Sequence, residues 1–250
     1  MIFNLLKSKP ILKELIPKGF VDIHSHILPA IDDGPKNAKK SLELISEMRK
    51  LGFVKIIGTP HIFKGLYDND VNSIKKSYNS IIKKLKKDHE ISYGAEYMLD
   101  DSILYKSKHE KLLCIDKNYL LIEMSFIAPP INLYELIFEI KINGLVPILA
   151  HPERYFYLHN NFKEYHKLKK SGCKFQLNLL SLIGYYGKDC LKIADRLIEE
   201  NLIDYTGSDI HSMNHINLIN GFTKNKSISL VKSKKIKEIE LIMQNNQFFS

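Results

Sequence analysis

The sequence has no tryptophan, few cysteines and arginines (three of each), and no long apolar run. No apolar segment reaches the roughly 20 residues that a membrane-spanning helix needs, so an integral membrane protein is not indicated. Cys114, Cys173 and Cys190 show no CxxC or zinc-finger spacing. Residues 1–19 are interrupted by lysine and proline and lack the apolar core of a signal peptide. An odd number of cysteines without an export signal predicts a reducing, cytoplasmic location and no disulfide framework.

The remaining composition is typical of a globular protein. The chain has 250 residues, of which 44% are hydrophobic and 26% charged, and its net charge of +9 comes almost entirely from lysine. This length suits one α/β barrel or two small domains. Lysine-rich segments such as residues 74–87 are usually solvated helix faces, although the charge could also attract an anionic substrate or partner. No nucleic-acid recognition motif is present, so we do not expect nucleic acid as a partner.

Hydrophobic periodicity predicts strands and helices that alternate along the chain. Strands are expected at residues 19–24, 54–61, 91–96, 119–123, 145–151, 174–178 and 203–211. Helices are expected at residues 36–51, 70–88, 100–109, 132–143, 162–170, 188–201 and 233–245. This order predicts a parallel sheet whose right-handed crossovers can close into a barrel. We expect residues 1–19 to form an N-terminal arm and residues 20–250 to form a single barrel domain.

Six of the seven predicted strands end in or run into histidine, aspartate or glutamate. The C-terminal strand ends of an α/β barrel carry its active site, and His24 and His26, two residues apart, should point to the same side of a strand. The candidate ligands are His24, His26, Asp33, His61, Glu96, Glu123, His151, Asp209 and His211. Any one of these residues could be structural, but a whole ring of them is unfavourable to desolvate without cations. The set therefore predicts a metal centre.

These ligand types also indicate a reaction class. Nine nitrogen and oxygen ligands are too many for one ion, so we expect two or three ions with bridging carboxylates. Imidazole and carboxylate without thiolate suit manganese, iron or zinc, and the residues do not choose among them. Metal ions about 4 Å apart activate a water and stabilise in-line displacement at phosphorus. Hydrolysis of a phosphate ester is therefore the favoured reaction.

Arg154 is the candidate phosphate-binding residue. It follows the candidate ligand His151 by three residues in a chain with few arginines. Its planar guanidinium matches two phosphate oxygens. The alternative is a surface ion pair with Glu153.

A second phosphatase-like spacing is a false signal. Cys190 and Arg196 have the Cys-x5-Arg spacing of cysteine-dependent phosphatases. That chemistry needs a loop whose backbone N–H groups surround the phosphate, normally with glycine. This segment has no glycine and shows helical periodicity, so we interpret Cys190 as structural.

Seven motifs resemble the PHP (polymerase and histidinol phosphatase) superfamily. They are DIHSHILPAIDDG at 22–34, TPH at 59–61, GAEY at 94–97, LIEMS at 121–125, AHPERY at 150–155, QLNLLSLIGYYG at 176–187 and GSDIH at 207–211. The IDDG and HPERY segments together are similar to the bacterial PHP-type tyrosine-protein phosphatases of capsule and exopolysaccharide loci. The resemblance spans about residues 20–211. It implies an α/β fold that is a distorted TIM-like (β/α)7 barrel.

The resemblance also implies a site with three divalent metal ions, usually manganese. By motif, one ion would be held by His24, His26, Glu96 and Asp209. Glu96 would bridge to a second ion, whose other ligands would be Glu123 and His151, and the third would be held by Asp33, His61 and His211. Arg154 would bind the substrate phosphate, and Asp33 or His61 could pass a proton to the leaving group through water.

The implied activity is hydrolysis of phosphotyrosine on the tail of a cognate bacterial autokinase that controls polysaccharide export. Three alternatives stay open at this point. The chain could be a phosphatase for a small metabolite such as histidinol phosphate, a phosphodiesterase or nuclease, or a non-enzymatic module whose metals are structural.

Two features near the motifs have more than one interpretation. Family members often have an arginine shortly after the Asp-x-His motif, where this chain has Asn214 and His215. His215 could substitute for that arginine or be an ordinary surface residue. Four aromatic residues could pack on the substrate ring or simply on the barrel rim: Tyr67, Tyr97, Tyr155 and Phe156.

Overall fold

The computed structural model describes residues 10–85, 90–222 and 235–250, and within these ranges it has nine strands and nine α-helices. The strands are β1 (Phe20–Ser25), β2 (Phe53–Gly58), β3 (His61–Ile62), β4 (Glu90–Tyr93), β5 (Glu96–Met98), β6 (Tyr119–Glu123), β7 (Val146–Ala150), β8 (Lys174–Asn178) and β9 (Tyr205–Gly207). The helices are α1 (Ala38–Lys50), α2 (Val71–Ile82), α3 (Ser102–His109), α4 (Leu133–Ile142), α5 (Phe156–His159), α6 (Lys163–Lys170), α7 (Lys188–Glu199), α8 (Met213–Ile219) and α9 (Ile236–Asn245). None of these helices is long and apolar enough to cross a membrane.

The strands form two parallel sheets that together make a distorted barrel. One sheet has the order β1-β2-β4 and the other the order β3-β5-β6-β7-β8-β9. Strands β1 and β9 meet just beyond β9, where Ser25 and Ile210 form a parallel bridge and the Asp209 N–H donates to the His24 carbonyl at 2.8 Å. The predicted α/β class and TIM-like barrel are confirmed. The predicted division into an arm (1–19) and a barrel domain (20–250) stays a prediction.

Two of the seven predicted strands are each divided into two shorter strands. The strand predicted at residues 54–61 is β2 followed by β3, because Pro60 has no N–H to donate to a ladder. The strand predicted at residues 91–96 is β4 followed by β5, and the break lies at Gly94, where an added Cβ would be 3.0 Å from the Cys114 carbonyl oxygen. Each break moves the chain from the first sheet to the second.

Other element boundaries also differ from the prediction. Strand β9 stops at Gly207, short of the predicted residue 211, and Asp209 beyond it has a left-handed backbone with φ of 50°. Helix α2 ends at Ile82, and residues 86–88 of the longer predicted helix lie outside the described residues, as do residues 233 and 234 of the predicted closing helix. Helices α5 and α8 and the 3-10 helix Leu179–Ile183 were not predicted, because they are too short for periodicity to reveal.

The hydrophobic core has two layers. One apolar layer lies between the strands and the surrounding helices, and a smaller group that includes Val21, Leu121 and Ile148 forms a separate cluster on the strands. Phe249, in the 3-10 helix Asn246–Phe249, joins the smaller cluster and contacts the Tyr119 and Tyr205 rings, where β6 and β9 begin. The C-terminal segment therefore closes the end of the barrel opposite the strand ends that carry the candidate ligands.

Candidate metal centre

The nine candidate ligands lie together at the C-terminal end of the barrel. Glu123 ends β6, and His151 follows β7 directly with a left-handed backbone, φ of 37°. His61 and Glu96 begin β3 and β5, because each predicted strand is divided just before its ligand. The other five belong to β1 or to the loops after β1 and β9: His24, His26, Asp33, Asp209 and His211. The parallel barrel thus brings together residues that are far apart in the chain.

Four of these side chains converge on one point. The Nε2 atom of His24 lies 3.2 Å from Nε2 of His26 and 3.2 Å from Oε2 of Glu96. The Oδ1 atom of Asp209 lies 3.4 Å from His24 Nε2 and 3.3 Å from His26 Nε2. All four residues are buried. They are the same four residues that the resemblance implies for the first metal ion.

A second group lies closer to solvent. The Oδ1 atom of Asp33 is 3.2 Å from His211 Nε2 and 3.7 Å from His61 Nε2. His26 joins these three residues, with one ligand atom from each of the four within 4.8 Å of the others. The Asp33 side chain is half exposed, whereas His61 and His211 are largely covered. The group contains the three residues implied for the third ion.

The structure groups the residues implied for the second ion differently from the grouping that the resemblance implies. Glu123 Oε1 lies 2.8 Å from His61 Nδ1, and Glu96 Oε1 lies 3.1 Å from His151 Nε2. Among the described residues, Glu123 belongs to a group with His61 and Glu96, whereas His151 belongs to a group with His24 and Asp209. Glu96 contacts residues of both groups and is therefore placed to bridge.

Hydrogen bonds on the outer side orient three of the imidazoles. His24 Nδ1 lies 2.7 Å from Gln176 Oε1, His26 Nδ1 lies 2.8 Å from Asp32 Oδ2, and His211 Nδ1 lies 2.8 Å from the Asp209 carbonyl oxygen. Because all three partners are acceptor oxygens, each Nδ1 carries the proton and donates it. When Nε2 is unprotonated, each ring presents the Nε2 lone pair to the interior of the site. This is the arrangement that metal-binding histidines use in proteins.

Two other ring nitrogens have no hydrogen bond. The Nδ1 atoms of His61 and His151 are both buried and unpaired. His61 Nδ1 is close to the Glu96 and Glu123 carboxylates, at 3.2 and 2.8 Å, but not in hydrogen-bonding geometry. An imidazole nitrogen and carboxylate oxygens this close together are ligand types that a shared cation can bind.

The electrostatics of the cluster also favour cations. Burial lowers the pKa of His24, but the carboxylates of Glu96 and Asp209 outweigh it and raise this pKa to about 9. Burial raises the pKa of Glu123, and the neighbouring Glu96 carboxylate adds to the rise. Buried carboxylates in mutual contact are unfavourable unless positive charge neutralises them. The residues present therefore fit divalent metal ions.

A pocket of about 380 Å³ opens above these residues. Besides six of the candidate ligands, it is lined by Phe126, Arg154, Tyr185, Tyr186, Ser212 and His215. Arg154 Nη1 donates to Asp209 Oδ2 at 2.9 Å. The guanidinium carbon of Arg154 lies 4.1 Å from the Tyr186 ring centre and 4.7 Å from that of Phe126. The ion pair and the cation–π contacts hold this cation in the pocket wall, where a ligand can reach it.

The chain is similar to known proteins along most of its length. Residues 20–238 match the family described as "Capsular polysaccharide synthesis, CpsB/CapC". This chain belongs to the CpsB/CapC family. It is 33% identical over 199 residues to the putative tyrosine-protein phosphatase CapC of Staphylococcus aureus, and the match covers 77% of each protein. It is 32% identical to the tyrosine-protein phosphatase YwqE of Bacillus subtilis, over 77% of this chain and 78% of YwqE.

Solved structures agree with this family membership. A chain from the crystal structures of YwqE from Bacillus subtilis and CpsB from Streptococcus pneumoniae, described as "unique metal-dependent tyrosine phosphatases", superposes with a TM-score of 0.72. The two chains are 28% identical, and the match covers 90% of this chain and 94% of that one. An amidohydrolase from Mycoplasma synoviae, 13% identical with a TM-score of 0.51 over 97% of this chain and 92% of its own, shares the fold alone. The predicted resemblance is confirmed.

Two alternatives raised by the sequence of this CpsB/CapC member are resolved. Glu153 is buried and accepts hydrogen bonds from the Asn178 N–H at 3.0 Å and the Ser181 hydroxyl at 2.6 Å. Arg154 therefore does not form a surface ion pair with it. Cys190 is buried in α7, and burial raises the pKa of its thiol to about 11. A nucleophilic cysteine needs a lowered pKa, so the structural interpretation of Cys190 is supported.

The aromatic residues suggested as substrate contacts are mostly elsewhere. Tyr97 and Tyr155 are buried, and their hydroxyls accept hydrogen bonds from the Leu113 and Met124 N–H groups. Phe156 is exposed and packs on His159. Tyr67 stacks on the candidate ligand His61. The two rings are nearly parallel, and their centres are 5.2 Å apart. Tyr97, Tyr155 and Phe156 are not among the residues that line the described pocket, which favours the other interpretation, packing on the barrel rim.

Sequence reasoning missed the aromatic residues that do line the pocket. They are Phe126, Tyr185 and Tyr186. Phe126 follows the LIEMS motif, and the two tyrosines lie in the QLNLLSLIGYYG motif after the sixth predicted strand. Their positions within or directly after these motifs could have indicated that they lie near the site. His215 also lines the pocket, whereas the exposed Asn214 does not.

Proposed function

We propose that this CpsB/CapC family member is a metal-dependent protein-tyrosine phosphatase that acts in capsule or exopolysaccharide synthesis. The observation that carries the proposal is the convergence of five imidazoles and four carboxylates beneath a pocket whose wall contains Arg154. The similarity to the tyrosine-protein phosphatases CapC, YwqE and CpsB supports the reaction, and membership of the capsular polysaccharide synthesis family supports the process. The finer proposal is that the substrate is the phosphotyrosine-bearing tail of a bacterial autokinase in the cytoplasm.

The nine ligands are proposed to hold three divalent ions, with manganese first and iron or zinc as alternatives. His24, His26, Glu96 and Asp209 would hold one ion, and Asp33, His61 and His211 another. Glu96, Glu123 and His151 would complete the site, with Glu96 shared between ions. Bound divalent ions would supply an activated water and positive charge at the phosphoryl oxygens.

Arg154 is proposed to bind the substrate phosphate. Its Nη1 is engaged by Asp209, and its remaining N–H donors are available to two phosphoryl oxygens in the planar geometry that guanidinium offers. Phe126 and Tyr186 pack against the guanidinium, so little side-chain freedom is lost when phosphate binds. The arginine is thereby aimed at the position where charge builds up in the transition state.

The leaving group needs little help from the protein. A phenol has a reference pKa of about 10, so tyrosinate departs more readily than a serine alkoxide. Asp33 and His61 line the mouth of the pocket. We propose that one of them passes a proton to the departing oxygen through water.

The proposal is tested by metal removal and readdition. Chelator-treated protein should lose turnover of a phosphotyrosine peptide, and defined Mn²⁺ should restore it. Histidinol phosphate and single-stranded DNA, assayed beside the peptide, should be poor substrates. Full activity in a metal-free preparation would contradict the metal mechanism. A clear preference for histidinol phosphate would reassign the enzyme to metabolite hydrolysis.

A further inference from the structure

A second cavity lies beside the catalytic pocket, where β3, β5 and β6 end. Its volume is about 360 Å³. Its apolar lining includes Phe63, Met98, Leu99, Pro129, Pro130 and Ile131. We call it the flanking groove. None of these six residues belongs to the proposed metal site or lines the catalytic pocket.

The strands fix the position of the groove relative to the metal site. Phe63, Met98 and Ser125 line the groove, and each lies two residues after a candidate ligand, namely His61, Glu96 or Glu123. Strands β5 and β6 pair without irregularity, and Met98 lies directly beside Glu123 in their register. Side chains two residues apart on a strand point to the same side and are about 7 Å apart along it. The groove lining therefore begins two residues beyond three of the candidate ligands, next to the residues that line the catalytic pocket.

Phe126 lies beside residues of both cavities along the chain. It lines the catalytic pocket, while its neighbour Ser125 and the nearby Ala128 line the groove. A peptide whose phosphotyrosine lies at Arg154 could therefore place a residue close to the phosphotyrosine in the groove. An extended peptide advances about 3.3 Å per residue, so only residues near the phosphotyrosine are candidates.

The chemistry of the groove favours an apolar occupant and disfavours an acidic one. Ile131 in the groove lining is 107% exposed, and Ile127 nearby in the chain is 90% exposed, so both apolar side chains are accessible to a partner. Asp100 and Asp101 lie at one end of the groove, and their Oδ1 atoms accept hydrogen bonds from the Ser102 N–H and the Asn132 amide. Two carboxylates fixed in this way repel an acidic side chain.

We propose that the flanking groove binds an apolar side chain of the phosphoprotein, one to three residues from the phosphotyrosine. This proposal rests on the proposed phosphatase function. The position next to residues of the catalytic pocket and the apolar lining favour this occupant. An acidic flanking residue is disfavoured.

The test is a panel of phosphotyrosine peptides in a glycine–serine background. Leucine or aspartate replaces one residue at a time, from three positions before to three positions after the phosphotyrosine. At one or two neighbouring positions, leucine should raise kcat/KM about tenfold over serine, the order expected for partial burial of one leucine side chain. Aspartate at the same positions should lower it. Para-nitrophenyl phosphate, which has no flanking residue, reports the catalytic site alone.

Ile131→Asp and a matched control variant test whether the leucine preference arises in the flanking groove. Ile131→Asp should remove most of the leucine preference and leave para-nitrophenyl phosphate turnover within about twofold of wild type. Ile142→Asp makes the same change at another exposed isoleucine, at the end of α4 and away from the groove, and should retain the preference.

Three outcomes would overturn the proposal. The first is a panel without leucine preference despite normal para-nitrophenyl phosphate turnover. This result would refute side-chain binding in the groove but leave the phosphatase function intact. The second is an unchanged leucine preference in Ile131→Asp. The third is absence of turnover of any aryl phosphate by the metal-loaded wild type. This result would refute both the phosphatase function and the groove proposal that rests on it.

Discussion

At the scale of single residues, Arg154 is held by three different interactions. Asp209 accepts a hydrogen bond from its guanidinium, and the rings of Tyr186 and Phe126 lie against it. The Tyr186 hydroxyl in turn accepts a hydrogen bond from the Asn178 amide at 3.1 Å. Asn178 also donates to Asp209 at 2.8 Å. One short network therefore joins the phosphate-binding candidate to the metal site.

Arg154→Ala should lower kcat/KM for an aryl phosphate by 10²-fold or more. That is about the effect of removing one preorganised group that stabilises transition-state charge. Arg154→Lys should recover only part of the loss, because an ammonium group lacks the planar pair of donors. Steady-state kinetics with metal-saturated protein measures both effects.

Arg196 provides the matched control for this experiment. It forms an exposed ion pair with Glu200 on α7. Arg196→Ala should leave the kinetic constants close to wild type. A wild-type rate in Arg154→Ala would instead assign Arg154 a structural role.

At the scale of elements, β8 carries no candidate ligand but contacts ligands from other strands. It is the one predicted strand that does not end in a candidate ligand. Its Gln176 accepts the hydrogen bond from His24, and its Asn178 donates to Asp209. The strand therefore orients ligands that other strands supply. Nothing in its local pattern indicated this role, because the partners are more than 30 residues away in the sequence.

The 3-10 helix at the C-terminus joins β1 to β9. The Asn246 amide donates to the Val21 and Thr206 carbonyls at 2.8 and 2.7 Å and accepts from the Thr206 N–H at 3.0 Å. Asn246→Ala should lower the free energy of unfolding by about 2–4 kcal/mol, because buried backbone groups lose their partner. Urea denaturation measures the change.

Gln244→Ala, at an exposed position of α9, is the control for Asn246→Ala. We expect it to change stability by less than about 0.5 kcal/mol. Equal stability of Asn246→Ala and wild type would mean that water replaces the amide and that β1 and β9 do not depend on it.

At the scale of the whole molecule, metal binding and barrel stability should be linked. The candidate ligands come from β1, β3, β5 and β6 and from the segments after β1, β7 and β9. Ions bound among them would connect most of the circumference of the barrel. Because the unfolded chain does not preform this site, metal binding adds to the stability of the fold.

Saturating Mn²⁺ should therefore raise the melting temperature of chelator-treated protein. A thousandfold excess over Kd adds about 4 kcal/mol per site, which corresponds to about 10 °C for a chain of this size. Differential scanning calorimetry across a Mn²⁺ titration measures the shift. An unchanged melting temperature at millimolar Mn²⁺ would contradict metal binding at this cluster.

Gln176→Leu refines the same measurement. It removes the acceptor for His24 Nδ1 and leaves every proposed ligand in place. Loss of such a partner typically weakens metal binding 10–100-fold. The variant should reach the same final melting temperature, but at a correspondingly higher Mn²⁺ concentration.

Much of this architecture could be predicted from the sequence. Alternating apolar periods indicated the barrel, and histidines and carboxylates at the strand ends marked the candidate site, because each of these patterns is local in the chain. The strand breaks at Pro60 and Gly94 were not predicted, although a proline and a glycine stand at these positions in the sequence. A break is decided by which sheet each half can pair with, and that depends on distant strands.

The sequence by itself determined which residue types could meet at the C-terminal end of the barrel. The tertiary structure decided their grouping: Glu123 lies with His61, whereas His151 lies with His24 and Asp209. It also decided which outer oxygens orient the imidazoles and which aromatic rings enclose Arg154. The physical reason is that local patterns set which way a side chain points along a strand, but contacts across the barrel depend on strand order, loop path and closure.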